Sequence, residues 1–254
     1  MRQFYLETDP DHPPRTGDRV TLDAEESRHL KTVLRGGRDE TLILVDGRGR
    51  RYAARSLAGG RGPAELEITS VETDPDETAA PRLVLACAVV KGRRFEWVLE
   101  KAVELGAHRV VPLRTERGVI EAGAGRNKRW RALLVSALKQ SGRTTLPALD
   151  DARGLEEVLD GCEGDPVLFG AVPGEVETPP WTDLVTMVPD EMPGTLTLVI
   201  GPEGGWTPAE RSLLQERGAR AVGLGPHVLR TETAAVVGLA ALQQIRRSWL
   251  AGPA

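Results

Sequence analysis

The chain has 254 residues, a formal net charge of −4 at pH 7 and two cysteines. This length is enough for one domain and a small additional module. Residues 1–14 do not resemble a signal peptide and no apolar run approaches the roughly 20 residues that cross a bilayer, so we expect a cytoplasmic protein. Cys87 and Cys162 lack CxxC spacing and the four histidines are scattered. This excludes a recognisable zinc or redox motif, and we assign no metal.

Positive and negative charges are segregated along the chain. Residues 28–61 are rich in arginine, a second basic stretch runs from Lys91 to Arg131, and residues 150–192 are strongly acidic. A chain that is acidic overall can therefore still present a basic face to phosphates. Charge alone fits an RNA-binding surface and an ordinary solvated surface equally well.

The first 73 residues are predicted to form a small β-barrel or sheet module. Short apolar stretches at Arg19–Leu22, Thr41–Val45 and Ala64–Val71 are separated by glycine-rich turns, which is typical of short paired strands. One amphipathic helix is expected at Ala24–Leu34. Residues 74–81 are polar and contain two prolines, and we interpret them as a linker.

Residues 82–254 alternate between predicted strands and predicted helices. The strands are expected at Leu83–Val89, Arg109–Leu113, Pro166–Phe169, Leu196–Ile200 and Ala221–Leu224. The helices are expected at Arg94–Leu105, Lys128–Gln140, from Thr207 onward, and from about Thr233 to Leu250. Such alternation predicts an α/β domain with a mostly parallel sheet.

A glycine-rich loop follows the strand Leu196–Ile200. It reads Gly201-Pro202-Glu203-Gly204-Gly205, and the next helix opens with Thr207-Pro208-Ala209-Glu210, a capping box with proline in its first turn. Parallel sheets bind ligands at the carboxyl ends of their strands, and glycine leaves backbone groups open to a ligand. The loop matches neither GxGxxG nor a P-loop, which disfavours phosphate binding. A plain strand-to-helix turn remains an alternative.

A second loop, Leu224–Ala234, also follows a predicted strand. It places Arg230 and Glu232 directly before an alanine-rich helix, a position where charged side chains can serve a ligand site. Two structural alternatives stay open: Thr231 or Thr233 can be a helix cap, and Arg230 can form an ion pair with Glu232.

These two loops resemble those of the SPOUT methyltransferases, specifically the 16S ribosomal RNA uracil(1498) N3-methyltransferase family. The resemblance rests on Ile200–Gly205 and Leu224–Ala234, and it extends to Lys91–Gly106, Gln140–Arg143 and His29–Arg35. It covers nearly the whole chain. The sequence departs from the family at Lys139, where glutamate is expected, and at His227, where arginine is frequent.

The resemblance implies the architecture and the cofactor. Residues 82–254 are expected to form a SPOUT-type α/β domain with a deep trefoil knot, and residues 1–73 a PUA-like RNA-binding β-barrel. The cofactor is expected to be S-adenosylmethionine. Its expected contacts are Ile200, Gly201, Pro202, Glu203, Gly204, Gly205, Leu224, Gly225, Val228, Leu229, Arg230 and Thr233.

A homodimer is expected from the same resemblance and from two predicted apolar helix faces. These faces carry Phe95, Val98 and Leu99 in one helix and Ala235, Val236 and Leu239 in the other.

The implied reaction is N3-methylation of a uridine in the 16S ribosomal RNA of the small ribosomal subunit. Methylation at N3 requires loss of the N3 proton. Arg230 is the expected stabiliser of negative charge on the uracil oxygens, and Glu203 or Glu232 is expected to accept the proton or to orient Arg230. The expected RNA contacts are Arg28, Lys31 and Arg35.

Three rival functions are weighed against this one. A 2′-O-ribose methyltransferase of the same superfamily would carry a Ser-Leu-Asn type segment where this chain has Arg230-Thr231-Glu232. A nicotinamide oxidoreductase would need a GxGxxG fingerprint, which the chain lacks. A non-catalytic RNA-binding protein would explain the basic N-terminal region but gives the glycine-rich loops no purpose.

Overall fold

A computed structural model describes residues 3–33, 41–57, 62–118, 125–162, 164–174 and 192–251. Arg35, one of the expected RNA contacts, lies outside these residues. The chain divides into two compact units. The first contains Met1–Thr78 and Val135–Leu146, and the second contains Ala79–Leu134 and Pro147–Ala254.

The first unit is built on a five-stranded sheet with the order β1-β3-β4-β5-β2. Its strands are β1 (Gln3–Tyr5), β2 (Arg19–Thr21), β3 (Leu42–Val45), β4 (Arg50–Ser56) and β5 (Glu65–Thr73). Its helices are α1 (Ala24–Val33), the short α2 (Pro75–Thr78) and the end of α4 (Gly125–Ser141). The three predicted strands and the helix at residue 24 are confirmed, whereas β1 and β4 were not predicted.

The core of the first unit forms because inward-facing apolar residues alternate along the strands. Phe4, Leu44 and Ile68 are buried. The hydroxyl of buried Tyr52 donates to Asp46 Oδ2 at 3.0 Å. Burial and the neighbouring Asp46 carboxylate raise the pKa of Tyr52 to about 12.

Lys139, one of the two departures from the family pattern, pairs with a buried carboxylate of the first unit. Its ammonium group contacts the carboxylate of Glu26, which is 4% exposed. A buried carboxylate is costly without a partner of opposite charge. Lysine at this position therefore neutralises Glu26.

The second unit is built on a parallel sheet with the strand order β12-β10-β11-β6-β7-β8, and β9 also pairs with β7. Its strands are β6 (Arg82–Ala88), β7 (Arg109–Arg114), β8 (Ala148–Leu149), β9 (Arg153–Gly154), β10 (Val167–Ala171), β11 (Thr195–Ile200) and β12 (Arg220–Gly223). Every pairing described in this sheet is parallel. The prediction of an α/β domain with a parallel sheet is confirmed.

The helices that follow these strands are α3 (Arg94–Glu104), α4 (Gly125–Ser141), α5 (Leu155–Asp160), α6 (Pro208–Glu216) and α7 (Thr231–Leu250). The capping box predicted at the start of α6 is confirmed. The Thr207 hydroxyl accepts from Glu210 N at 3.2 Å, and the Glu210 carboxylate accepts from Thr207 N at 2.9 Å. In the described ranges we find no helix with the length and apolar character needed to cross a membrane.

Helices α3 and α7 pack on each other, and α7 also packs on β6 and β11. The approach of α7 to β11 is close, because a Cβ atom on Gly238 would lie 2.5 Å from Leu198 Cδ2. Phe95, Leu99, Ala235 and Leu239 are buried within the single chain. The apolar faces that we expected to form a dimer interface are thus used inside the subunit, and that part of the argument for a dimer was wrong.

Candidate functional site

Three loops at the carboxyl ends of the adjacent strands β10, β11 and β12 enclose a cleft of about 510 Å³. The cleft is lined by residues 170–173, by residues of the loop after β11, by residues of the loop after β12, and by Thr231 and Ala234 of α7. Its lining combines apolar side chains such as Ile200, Leu224 and Leu229 with glycine backbone, a combination that small-molecule sites commonly have.

The loop after β11 has its shape because glycine occupies two demanding positions. A Cβ atom on Gly201 would lie 2.8 Å from the Trp206 ring, and Gly205 has a φ of 69°, which side chains disfavour. The Trp206 indole Nε1 in turn donates to the Gly170 carbonyl at 3.0 Å. The indole therefore fastens the loop after β11 to the carboxyl end of β10.

Eight of the residues predicted to hold the cofactor line this cleft: Ile200, Gly201, Pro202, Gly205, Leu224, Gly225, Val228 and Leu229. Four others, Glu203, Gly204, Arg230 and Thr233, are not among the described lining residues.

The remaining lining residues were not among the predicted cofactor contacts: Gly170, Ala171, Val172, Pro173, Trp206, His227, Thr231 and Ala234. A signal for the first four was present. Gly170, Pro173 and Gly174 follow a predicted strand, as glycine and proline do in the two loops that were recognised.

Helix α7 begins at Thr231, two residues before the expected start. Arg230 is its N-cap, with extended backbone and no side-chain capping bond, so neither threonine is the helix cap. The Thr231 hydroxyl donates to the Gly201 carbonyl at 3.0 Å, which ties the start of the helix to the cleft. As a consequence, Glu232 lies in the first helical turn and Thr233 is exposed.

Arg94, the first residue of α3, contacts both carboxylates that we predicted to be catalytic. Its Nη1 atom donates to Glu203 Oε1 and lies 3.8 Å from Glu232 Oε2. Glu232 is 9% exposed, and its Oε2 atom is buried without a hydrogen-bond partner among the described residues. Sequence reasoning missed Arg94 as a site residue because 109 positions separate it from Glu203.

Arg230 is exposed, and within the described residues its guanidinium group forms neither an ion pair nor a hydrogen bond. The alternative that Arg230 and Glu232 form a structural ion pair is therefore wrong, since the charged partner of Glu232 is Arg94. The free guanidinium next to the cleft is available to a ligand.

Cys87, in β6, lies close enough to Glu232 to sense its charge. Burial and then the Glu232 carboxylate raise the pKa of the Cys87 thiol well above its usual range, so the thiol stays protonated. In the part of the chain that the structure describes, no group of three or more His, Cys, Asp or Glu residues could hold a metal ion.

Comparison with known proteins places these features in a family. Residues 77–243 match the family described as "RNA methyltransferase domain", and residues 22–69 match "RNA methyltransferase PUA domain". Ribosomal RNA small subunit methyltransferase E of Mycobacterium bovis is 33% identical over 250 residues, covering 97% of this chain and 92% of that protein. The protein of the same description from Bacillus subtilis is 28% identical over 233 residues, covering 87% and 88%.

Two solved structures are similar over almost their whole length. Ribosomal RNA small subunit methyltransferase E from Neisseria gonorrhoeae, bound to S-adenosyl methionine, has a TM-score of 0.77 and 32% identity, covering 96% of this chain and 98% of that chain. A putative methyltransferase from Legionella pneumophila, in complex with the bound cofactor SAM, has a TM-score of 0.79 and 29% identity, covering 95% and 96%. The chain therefore belongs to the RNA methyltransferase family that includes the ribosomal RNA small subunit methyltransferase E proteins.

Proposed function

We propose that this protein is an S-adenosylmethionine-dependent methyltransferase that modifies N3 of a uridine in the 16S ribosomal RNA of the small subunit. The observation that carries the proposal is the three-loop cleft, in a chain that is 32% identical to a relative bound to S-adenosyl methionine. An enzyme of ribosomal RNA acts where ribosomal subunits are assembled, so we place it in the cytoplasm.

The cleft residues fit this cofactor. Ile200, Leu224 and Leu229 offer apolar side chains to a flat heteroaromatic ring, and the glycine-rich loops offer backbone amide and carbonyl groups to its polar parts. The close approach of Trp206 to Gly201 leaves no room for a side chain at position 201. When bound, S-adenosylmethionine supplies an electrophilic methyl group.

The residues beside the cleft can manage the charge that appears during the reaction. Uracil N3 must lose its proton, so a proton acceptor and a cation are needed next to it. We propose that Arg230 stabilises the developing negative charge on the uracil oxygens and that Glu203 or Glu232 receives the proton. Because N3 takes part in base pairing within a duplex, the target base must be unpaired or flipped out.

The finer architecture is part of the proposal. Strand β12 pairs with β10 at one end of the sheet, whereas α7, which follows after residues 224–230, packs on β6 and β11 near the middle. A chain that returns in this way beside the loops of β10 and β11 is compatible with a trefoil knot, a rare exception among protein folds. For the first unit we propose closure of its sheet into a PUA-like barrel, which the match of residues 22–69 supports.

We propose that the first unit positions RNA through its phosphates. Arg28 and Lys31 are exposed on α1. Arg28→Ala and Lys31→Ala should weaken RNA binding at every sequence and lower the slope of log affinity against log salt by about 0.7–0.9 for each phosphate that is no longer neutralised. Cofactor affinity should stay unchanged. If RNA methylation survives removal of residues 1–73 intact, this assignment is wrong.

We also propose a homodimer, which now rests on the family resemblance alone. Closed twofold dimers are the commonest soluble oligomers. Sedimentation at micromolar concentration should give twice the monomer mass, and a fully active monomer would contradict the proposal.

The decisive experiment for the function combines calorimetry with product mapping. Titration of the purified protein with S-adenosylmethionine should show one binding event per chain, and incubation with small ribosomal subunits should add a methyl group to a uracil base. A methylated ribose would favour the 2′-O-methyltransferase. Absence of cofactor binding would favour a non-catalytic RNA-binding protein.

A further inference from the structure

The charged cluster of Arg94, Glu203 and Glu232 lies next to the cofactor cleft and is separate from its lining. The cleft lies at the ends of β10, β11 and β12. The cluster lies on the other side of β11, toward β6, because Glu232 is close to Cys87 and Arg94 begins the helix after β6. Each carboxylate directly follows a cleft residue, Pro202 or Thr231. A base held over this cluster would therefore border the cleft.

We propose that Glu232 is the group that accepts the N3 proton of uracil, and that Arg94 is a positioning residue that keeps the Glu232 carboxylate ionised and in place. This inference rests on the proposed function and resolves the choice between Glu203 and Glu232.

The carboxylates of Glu203 and Glu232 differ in burial and in whether their oxygens have hydrogen-bond donors. The Glu203 side chain is 48% exposed and receives a hydrogen bond from Arg94. Glu232 is 9% exposed, and its Oε2 atom has no hydrogen-bond partner in the described part of the chain. A buried carboxylate oxygen without a donor is costly and rare. An imide N–H group from the substrate would supply the missing donor.

Arg94 is placed to act on Glu232 through charge and not through a hydrogen bond. The 3.8 Å between Nη1 and Oε2 is too long for a hydrogen bond, but at this distance a cation strongly favours the ionised form of a carboxyl group. The guanidinium bonds directly to Glu203 and is partly exposed, so it leaves the donor position at Glu232 Oε2 unfilled.

The other charged or titratable groups around Glu232 carry negative charge, are neutral or form no ion pair with it. Glu203, from the loop after β11, repels a second negative charge, and Cys87, from β6, is a neutral thiol. Arg230, which precedes α7, forms no ion pair with Glu232. Arg94 is therefore the cation that contacts Glu232 among the described residues.

The proton transfer balances with the methyl transfer. The N3–H bond breaks, its proton goes to the Glu232 carboxylate, and the N3 electron pair forms the bond to the methyl carbon, while the electron pair of the broken carbon–sulfur bond stays on the sulfonium sulfur. A carboxylate is a sufficient base because N3 becomes more acidic as it gains the methyl group.

The same contact would select uracil over cytosine. Uracil N3 carries a hydrogen, whereas cytosine N3 carries a lone pair and no hydrogen. A carboxylate therefore attracts the first and repels the second, and loss of a required hydrogen bond at a buried polar group gives strong discrimination.

The pH dependence of single-turnover methylation of small ribosomal subunits tests the role of Arg94. Arg94→Ala should move the acid limb of the rate profile to higher pH, because the cation beside the Glu232 carboxylate is lost, and the rate should approach that of the wild type at high pH. Arg94→Lys should give an intermediate profile. Arg93→Ala removes the same charge from the neighbouring exposed residue and should leave the position of the limb unchanged.

Glu232→Gln tests the base itself. The substitution keeps the shape of the side chain, and it should slow methyl transfer by roughly 10²-fold or more and remove the acid limb, with the melting temperature and cofactor affinity preserved. A second readout needs no turnover. The cofactor-free protein should bind an RNA oligonucleotide with the target uridine more tightly than its cytidine counterpart, and Glu232→Gln should reduce that preference.

Two results would overturn this inference. One is a Glu232→Gln enzyme that transfers methyl groups at the wild-type rate. The other is an Arg94→Ala enzyme whose rate falls equally at every pH together with its melting temperature, since that describes a purely structural ion pair. A wild-type protein that neither binds S-adenosylmethionine nor methylates RNA would overturn the proposed function instead.

Discussion

The two edges of the parallel sheet in the second unit differ in whether their charged side chains have partners of opposite charge. Beside the cavity at the amino ends of β6, β7 and β11, Arg109 donates to Asp150 at 2.9 and 2.5 Å, and the side chain of Arg153 contacts the same carboxylate at 2.9 Å. At the carboxyl edge, Arg230 has no charged partner and one oxygen of Glu232 has no donor, as far as the described residues extend. Satisfied charges hold a structure together, whereas unsatisfied ones are available to a ligand.

Cavity volume alone does not identify which of the two edges binds the ligand. The amino edge borders a cavity of about 820 Å³ lined in part by Arg82, Cys162 and Thr197, which is larger than the cleft of about 510 Å³ at the carboxyl edge. Its arginines Arg109 and Arg153 are already engaged by Asp150. The smaller cleft has the glycine loops and the free charges, so the chemistry of the lining identifies the site better than size does.

The largest effect should come from the free arginine of the carboxyl edge. Arg230→Ala should lower the single-turnover methyl-transfer rate by roughly 10²-fold or more, because a preorganised charge stabiliser is lost, while the melting temperature and cofactor affinity barely change. Arg230→Lys should restore part of the rate, since lysine keeps the charge but lacks the planar donor pair. Arg153→Ala at the opposite edge is the matched control and should leave the rate unchanged. A normal rate in Arg230→Ala would end its catalytic assignment.

Replacing a glycine by alanine should have different effects on protein stability and cofactor binding at the two edges. Gly201→Ala should destabilise the fold by about 1–3 kcal/mol through overpacking, because the new Cβ would lie 2.8 Å from the Trp206 ring. It should also weaken binding of S-adenosylmethionine. Chemical denaturation and calorimetry measure both effects.

Gly161→Ala is the control at the amino edge. Gly161 has helical backbone and its nearest neighbour would be 3.5 Å from the new Cβ, so the variant should be neutral or more stable by about 0.4–1 kcal/mol. Equal losses in the two variants would contradict the role of the Trp206 contact.

Removing the anchor of the amino edge should affect stability alone. Asp150→Ala leaves Arg109 and Arg153 without their shared carboxylate, and we expect a loss of about 1 kcal/mol in unfolding free energy. The methyl-transfer rate at saturating substrate should match that of the wild type. A slower enzyme with unchanged stability would show that the satisfied edge also serves the reaction.

The reactivity of the two cysteine thiols should show how accessible each edge of the sheet is, and this is the smallest of the expected effects. In the folded protein at pH 8, a disulfide reagent should react with Cys162, which is partly exposed, and not with buried Cys87, because burial and then Glu232 raise the pKa of the Cys87 thiol. Cys162→Ser should abolish the early reaction, and denaturant should expose Cys87. Early labelling of Cys87 would show that the carboxyl edge opens in solution.

Local patterns in the sequence determined eight of the strands, the main helices and two of the three cleft loops, whereas β1, β4, β8 and β9 were not predicted. The capping box at Thr207, the apolar strand Leu196–Ile200 and the glycines that follow it depend on residues a few positions apart. Their structure is set by backbone conformation and short-range hydrogen bonds, which is why it could be predicted. The catalytic assignments of Arg230, Glu203 and Glu232 stay predictions.

Only the tertiary structure decided which distant residues meet. The order β12-β10-β11-β6 brings the loop after β10 beside the loop after β11, and it joins Trp206 to Gly170. The same order brings Arg94 to Glu203 and Glu232 and leaves Arg230 unpaired among the described residues. Periodicity and capping carry no information about the order of strands in a sheet, because that order depends on packing between segments that are far apart in the chain.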